Sequence, residues 1–305
     1  MNHRVVEVDI RKVLFIVNPI FRINRNPDRI IEWIRESWSK EEKKYEIVKT
    51  AHRGHGTELA KQAVKDGYDM VVAVGGDGTI NEIAQGLIDT NTVLGIIPAG
   101  SGNGFARNMR IPLNHKKAIK LLQSPSIRQI DVGRINGHYF FNIAGFGLDA
   151  NISTLFEHSS MRGPIPYFLI AFREFFTYTP QEVEIHFDGR ELRREPILLC
   201  FANLPEYGVN AVIAPNAKPD DGLIDVCILN PISKAKAVLN IHKLFNGSVD
   251  ELPELEIYQT EKVMIRRPAP GPIHTDGDPH QEGETLTVEV LPQKLLVALG
   301  EEAPW

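Results

Sequence analysis

The run Val71-Val72-Ala73-Val74-Gly75-Gly76-Asp77-Gly78-Thr79-Ile80-Asn81-Glu82 confines this chain to few folds. A wholly apolar strand enters a glycine-dense turn, and the turn opens a helix. Three glycines in four positions allow positive φ angles and let a ligand approach the bare backbone. Thr79 and Glu82 have the spacing of a capping box, which predicts a helix starting at Thr79. Backbone N–H groups at such a start form an anion site suited to phosphate. Asp77 in that loop needs a cation or a hydroxyl nearby, and a nucleotide phosphate carrying Mg²⁺ supplies the cation. A plain tight turn with a solvated Asp is the bland alternative. It leaves the coincidence of cap, glycines and acid without a reason.

Alternating elements surround that loop. Residues 13–17 read as a buried strand, and 27–38 as a helix with Ile30, Ile31 and Ile34 on one side. Strands near 45–48, 70–74 and 93–97 alternate with helices near 57–66 and 79–87. Apolar, unalternated strands in this order imply a parallel sheet covered on both faces. Ligands of such sheets bind at the carboxyl ends of the strands. After about Asp131 the pattern changes. Val183, Ile185 and Phe187 alternate with polar residues, and Asp188-Gly189 signals a hairpin. Further strands are predicted over 139–144, 196–202, 224–229, 254–265 and 285–290, with one helix capped by Ser233 and stopped at Asn246-Gly247. The expected fold class is α/β, with a three-layer nucleotide-binding domain over 1–133 and a β-rich sandwich domain over 134–305. The last residues are expected to pack back on the first domain.

At 305 residues, length alone suggests about two domains. A net charge of −5 argues against a nucleic-acid binder, which needs a basic surface. Cys200 and Cys227 sit in apolar runs without CxxC spacing, so they read as reduced core residues with no disulfide or zinc site. The first nine residues lack the apolar stretch of a signal peptide, and the longest apolar runs, 13–17 and 165–172, are too short to span a bilayer. The expectation is a cytoplasmic protein that meets membranes only peripherally and transiently.

A second glycine loop follows the next strand: Pro98-Ala99-Gly100-Ser101-Gly102-Asn103-Gly104. Ser101 can donate to phosphate, and Asn103 can reach either a ligand or the opposite loop. Asn216-Ala217-Lys218-Pro219-Asp220-Asp221-Gly222-Leu223 sets acids in a turn where Asp221 and nearby carbonyls could hold Mg²⁺; an acidic hairpin is the alternative. Asp276-Gly277-Asp278 places two acids around a glycine, where one could take the proton of an attacking hydroxyl; a turn of no chemical role is the alternative. His52 and His55 read as solvated. Phe172, Phe175, Phe176 and Tyr178 form an aromatic stripe on a helix from about Pro166, read as core or as the wall of an apolar acceptor pocket.

In chain order, Gly75-Gly76-Asp77-Gly78-Thr79 with Asn81-Glu82, Gly100-Ser101-Gly102-Asn103, Gly145-Phe146-Gly147-Leu148-Asp149, Asp221-Gly222-Leu223 and Asp276-Gly277-Asp278 together resemble the diacylglycerol kinase catalytic superfamily over roughly residues 12–290. The resemblance implies an ATP-dependent lipid kinase, with Mg²⁺, whose active site lies in a cleft between the two domains. It implies nucleotide contacts from Asn18, Thr50, Gly75, Gly76, Asp77, Gly78, Thr79, Ile80, Asn81, Gly100, Ser101, Asn103 and Asp278. Asp77 would organise Mg²⁺ through water, and Asp276 would be the general base. Asp221, with the carbonyls of Lys218 and Leu223, would form a second, structural Mg²⁺ site. The lipid would be diacylglycerol, a sphingoid base or a relative, and a homodimer is left open. The chain departs from the family in three places: Asn18-Pro19 runs into Ile20-Phe21-Arg22 where a glycine-containing loop is usual, Gly104 stands where many members have Asp, and Asp278 stands where Glu is usual. A NAD kinase shares the first glycine loop but should carry a later Asn-Glu pair and a Gly-Ser-Thr-Ala segment, which this chain lacks. A non-catalytic nucleotide-binding regulator would be expected to lose Asp77, Asp221 and Asp276.

Overall fold

The computed structural model describes residues 6–20, 27–39, 43–158, 164–208 and 210–301, with the side chains of 157, 158, 164–169 and 172 outside it. Phe21 and Arg22 of the Asn-Pro turn, and the Phe172 side chain, therefore lie outside the described residues. The chain forms two compact units, residues 1–130 with 293–305, and residues 131–292.

The first unit runs β1 (Lys12–Val17), α1 (Pro27–Trp38), β2 (Lys44–Lys49), α2 (His55–Lys65), β3 (Met70–Gly75), α3 (Asp77–Leu87), β4 (Val93–Pro98), α4 (Gly104–Asn108) and α5 (His115–Gln123). Its strands pair in parallel in the order β2-β1-β3-β4. Every residue of β3 and β4 is buried, as their unbroken apolar sequences require of central strands. The path steps outward from β1 to β2 and then back through β3 to β4. Right-handed crossovers therefore set α1 on one face and α2 and α3 on the other. The contacts agree, since α1 packs with α5 and α2 with α3. Trp38 closes one end of the core, edge-on to Phe15 at 5.2 Å, and both are fully buried.

The second unit takes up β5 (Ser126–Ile135), which begins in the first. It continues through β6 (His138–Phe140), β7 (Ile143–Gly147), α6 (Leu148–His158), α7 (Pro164–Thr177), β8 (Val183–Phe187), β9 (Arg190–Arg194), β10 (Leu198–Ala202) and β11 (Ile224–Leu229). It ends with α8 (Lys234–Asn246), β12 (Leu255–Thr260), β13 (Lys262–Arg266), β14 (Gly271–Thr275), β15 (Asp278–Glu282) and β16 (Thr285–Leu299). One antiparallel sheet has the order β12-β11-β10-β7-β14-β15; opposite it, β9-β8-β13 continue onto the first half of β16. Phe146, Phe201 and Val226 from one sheet meet Ile185, Val263 and Val288 from the other in a single core, which makes the unit a sandwich. The last residues of β16 rejoin the first unit, where Val297 pairs in parallel with Leu94. Cys200 and Cys227 are register partners on β10 and β11, both free and buried.

Two predicted strands turn out to be interrupted. The stretch predicted at 139–144 breaks at Phe141-Asn142, because the N–H groups of 141–143 turn toward the Asp276 carboxylate. The stretch predicted at 254–265 breaks at Glu261 into β12, which pairs with β11 in one sheet, and β13, which pairs with β16 and β8 in the other. The α8 ends follow the sequence: Ser233 Oγ accepts the Lys236 N–H, and Gly247 stops the helix at φ 77°. The helix leaves Val238, Leu239, Ile241 and Phe245 exposed.

Candidate active site

In the first unit, the residues after four parallel strands lie along one edge. Asn18 follows β1, Thr50 follows β2, the Gly75–Thr79 turn follows β3, and Gly100–Asn103 follows β4. The strand order reverses at β1, so this edge is also the topological switch point. Asn18 and Thr50 are tied to the edge by backbone bonds, from Asn18 N–H to the Val74 carbonyl and from Thr50 N–H to the Val17 carbonyl.

The helix at the glycine loop opens at Asp77, two residues earlier than the capping-box spacing predicts, and no side chain caps it. Both members of that box have other partners. Thr79 is buried, and its Oγ1 accepts from Asn18 Nδ2 at 3.0 Å. Glu82 accepts the N–H groups of Gly54 and Gly56 at 2.9 and 3.1 Å, so it caps α2. The first-turn N–H groups of α3 have no intrahelical acceptor and face the loop end, as an anion site requires.

The glycines are needed for closeness, since neither Gly75, Gly76 nor Gly78 has a positive φ. A Cβ on Gly100 would stand 2.5 Å from the Gly76 Cα, and one on Gly75 would stand 2.6 Å from the Thr79 side chain. The two glycine loops thus touch backbone to backbone. Gly78 differs, because a Cβ there would meet no protein atom within 4 Å.

Asp77 bridges the loops. Its carboxylate accepts the Phe105 N–H at 3.1 Å and also faces the amides of Asn103 and Gly104, at the start of α4. It keeps some contact with solvent, yet burial pushes its carboxyl above the ordinary range, and those amides pull the other way. Asp77 is therefore also a structural link between the loops. The side chain of Asn103 bonds within its own loop. Held at φ 51°, Asn103 accepts the Gly100 N–H and donates to the Gly100 carbonyl. Ser101 is exposed. Ile80 is buried, so only its backbone is available, and buried Asn81 accepts from Gln85. His52 and His55 are stacked at 4.8 Å, with His55 Nδ1 accepting the Ala51 N–H, which makes them a local brace at α2.

In the second unit, Asp276 and Gly277 form the two-residue turn between β14 and β15, both with positive φ. Asp276 accepts three backbone N–H groups, from Phe141, Asn142 and Ile143, at 2.8–3.0 Å, and its own N–H donates to the Ile143 carbonyl. Asp278 opens β15, half-buried, two residues on. Asn203, fully buried, donates to the carbonyls of Phe141 and Asp131 and so braces the same segment.

At the acidic turn, Asp221 accepts the Leu223 N–H, and burial raises its carboxyl, with Asp220 adding repulsion and Lys218 opposing it. Burial also lifts nearby Asp225 to about 6. Asp131 was not singled out by the sequence. It is fully buried, accepts the Gly222 N–H at 2.7 Å and donates its N–H to the Pro219 carbonyl. Among the described residues no three His, Cys, Asp or Glu side chains converge as a metal cage. The turn offers a carboxylate with backbone oxygens, a set that suits a cation retaining its waters.

Phosphate-suited loops on a parallel sheet, with a carboxylate held at the turn of a separate sandwich, define a phosphotransferase-like chain. Residues 12–135 match the diacylglycerol kinase catalytic domain, and 142–299 match the YegS C-terminal NAD kinase beta sandwich-like domain. The diacylglycerol kinase of Bacillus subtilis (strain 168) is 34% identical over 194 residues, 62% of this chain and 64% of that protein, just under two thirds of its length. The "Probable lipid kinase YegS-like" protein of Chromohalobacter salexigens is 31% identical over 258 residues, 81% of each chain. A crystal structure titled as a diacylglycerol kinase from Bacillus anthracis str. Sterne shares the fold with a TM-score of 0.76 at 21% identity, covering 97% of this chain and 100% of that one. The chain belongs to the diacylglycerol kinase catalytic superfamily. It is a phosphotransferase acting on a lipid alcohol. No described helix is long and apolar enough to cross a membrane.

Proposed function

We propose that this chain transfers the γ-phosphate of ATP to the hydroxyl of diacylglycerol, a sphingoid base or a related lipid. The observation that carries the reading is the backbone contact of Gly76 with Gly100, with Asp77 spanning both loops at the start of α3. In this reading the loop amides hold the polyphosphate, and Asn18, Thr50 and Ser101 complete its surroundings along the same strand edge. The lipid oxygen attacks the γ-phosphorus, the bond from that phosphorus to the β–γ bridging oxygen breaks, and ADP leaves with that oxygen. Asp276, oriented by three amides, takes the hydroxyl proton, while the loop donors offset the charge on the transferring group.

Mg²⁺, when bound, would neutralise phosphate charge at Asp77 and, at Asp221 with the Lys218 and Leu223 carbonyls, would steady the acidic turn. The acids there fit a hard cation, since Asp220 adds repulsion at Asp221 that Lys218 and the Leu223 amide oppose. Peripheral contact with a bilayer is supported by α8, which carries three lysines and no acid and exposes Leu239 at 75% and Ile241 at 55%.

The ATP assignment is tested by thermal unfolding with Mg²⁺–ATP. A ligand at a hundred times its Kd stabilises by about 2.7 kcal/mol. A rise in melting temperature with ATP is expected, and no rise at millimolar ATP would overturn the nucleotide reading.

A further inference from the structure

A buried carboxylate and a buried imidazole adjoin the Asp276 turn, and the transfer described above uses neither. Asp149 is 3% exposed and His274 2%. His274 Nε2 lies 2.9 Å from Asp149 Oδ2, which also accepts from the Tyr207 hydroxyl at 3.2 Å, while Asp149 Oδ1 accepts the Ala150 N–H. A ring nitrogen facing a buried carboxylate carries the proton. On the other side of the ring, the Gly277 N–H donates to His274 Nδ1 at 3.3 Å. An amide N–H needs a lone pair, so Nδ1 is unprotonated. Both contacts select one tautomer, with the proton on Nε2. Gly145 makes room for it, because a Cβ there would stand 2.4 Å from Asp149 Oδ2.

The Gly277 amide belongs to the peptide that follows Asp276, in a turn where both residues sit in the left-handed region, at φ 51° and 89°. The direction of that N–H therefore helps set the backbone from which the Asp276 side chain projects. We infer that Asp149 and His274 are positioning residues, with Asp149 fixing the His274 tautomer and His274 Nδ1 holding the Gly277 amide, so that Asp276 is aimed for proton transfer. The same division of labour, a carboxylate holding an imidazole in one tautomer, operates in serine-protease triads. The inference rests on the reading of Asp276 as the proton acceptor.

Two substitutions separate positioning from mere stability. The amide of Gln can approximate Nε2 and keep the bond to Asp149, whereas the Asn oxygen falls near Nδ1 and keeps an acceptor for Gly277. Steady-state kinetics with ATP and diacylglycerol in mixed micelles, scaled to folded protein by a thermal melt, should show His274→Gln losing at least tenfold in kcat with KM for ATP unchanged. His274→Asn should recover most of that loss, to within about threefold of the parent, in line with the retained acceptor. Should His274→Gln fail to fold, Asp149→Asn reads the same chain, because it removes the preference for the Nε2–H tautomer and should lower kcat in the same way. Parent-like kcat in His274→Gln, or equal losses in the Gln and Asn variants, would overturn the positioning role. Asp276→Asn, run alongside, distinguishes the two failures. If it too keeps the parent kcat, the base reading falls and the positioning role with it. If it is inactive while His274→Gln is not, only the positioning role falls.

Discussion

Alanine at two glycines separates what the fold needs from what the ligand needs. At Gly100 the new methyl would lie 2.5 Å from the Gly76 Cα and 3.0 Å from Asn103 Oδ1. Ordinary contact is about 3.5–4.0 Å, so the loops must part by roughly 1 Å. Both are held in place, by the Ala99 N–H on the Gly75 carbonyl at 2.7 Å and by the paired bonds of the Asn103 side chain to the Gly100 backbone. Overpacking of this kind costs about 1–3 kcal/mol. A 1 Å misplacement of a binding cradle can lower turnover about 10²-fold. Gly100→Ala is thus expected to lose both stability and activity. Gly78→Ala should behave differently. Its methyl meets nothing within 4 Å, and it sits in the first turn of α3, where Ala exceeds Gly by up to about 1 kcal/mol. Its melting temperature should hold or rise by about 1–3 °C, while the methyl occupies the space through which a phosphate would approach, so KM for ATP should climb at least tenfold. Melts and ATP saturation curves on both variants read this out. A stabilised Gly78→Ala protein with parent KM for ATP would refute the cradle.

Asp77→Ala should abolish turnover and also cost about 1 kcal/mol, because the carboxylate caps the start of α4; parent turnover in the folded variant would remove the proposed Mg²⁺ role. Phe175→Ser should destabilise by roughly 2–4 kcal/mol, since Phe175 packs against Leu148, Ile152 and Ile197; a normal melt with a raised KM for lipid would return it to an acceptor wall. The Arg194 hydrogen bond holds the Glu256 carboxyl down at about 2, against an ordinary 4.5. A lowered value means stability that is present above pH 4.5 and lost as pH falls toward 2. The pair is partly exposed, so about 1 kcal/mol is at stake. Glu256→Gln should flatten the acid limb of the stability curve by that amount, and identical acid limbs would show that the pair contributes nothing.

The parallel strands were legible in the sequence because central strands are apolar on both faces, as β3 and β4 are. The glycine loops were legible as a candidate site, though the reason for their glycines was not. Positive φ is a local property that sequence suggests, whereas the approach of Gly100 to Gly76 joins residues 24 apart in the chain. Glu82 misled for the same reason, since its spacing to Thr79 fits a capping box while its partners, Gly54 and Gly56, lie on the neighbouring helix. Asp131 and His274 carry no spacing signal in the sequence, and Asp149 was legible only as the end of the Gly145–Asp149 motif. Only folding brings Asp131 to the acidic turn and His274 between Asp149 and Gly277.

The central claim, ATP-dependent phosphorylation of a lipid hydroxyl, is tested most directly by incubating the purified chain with γ-labelled ATP, Mg²⁺ and lipids one at a time: diacylglycerol, a sphingoid base, ceramide and phosphatidylglycerol, each in mixed micelles. The account expects label in a phosphorylated lipid, dependent on Mg²⁺ and lost in Asp77→Ala. Label released only as inorganic phosphate, or no transfer to any of the four by a protein whose melt is normal, would contradict it.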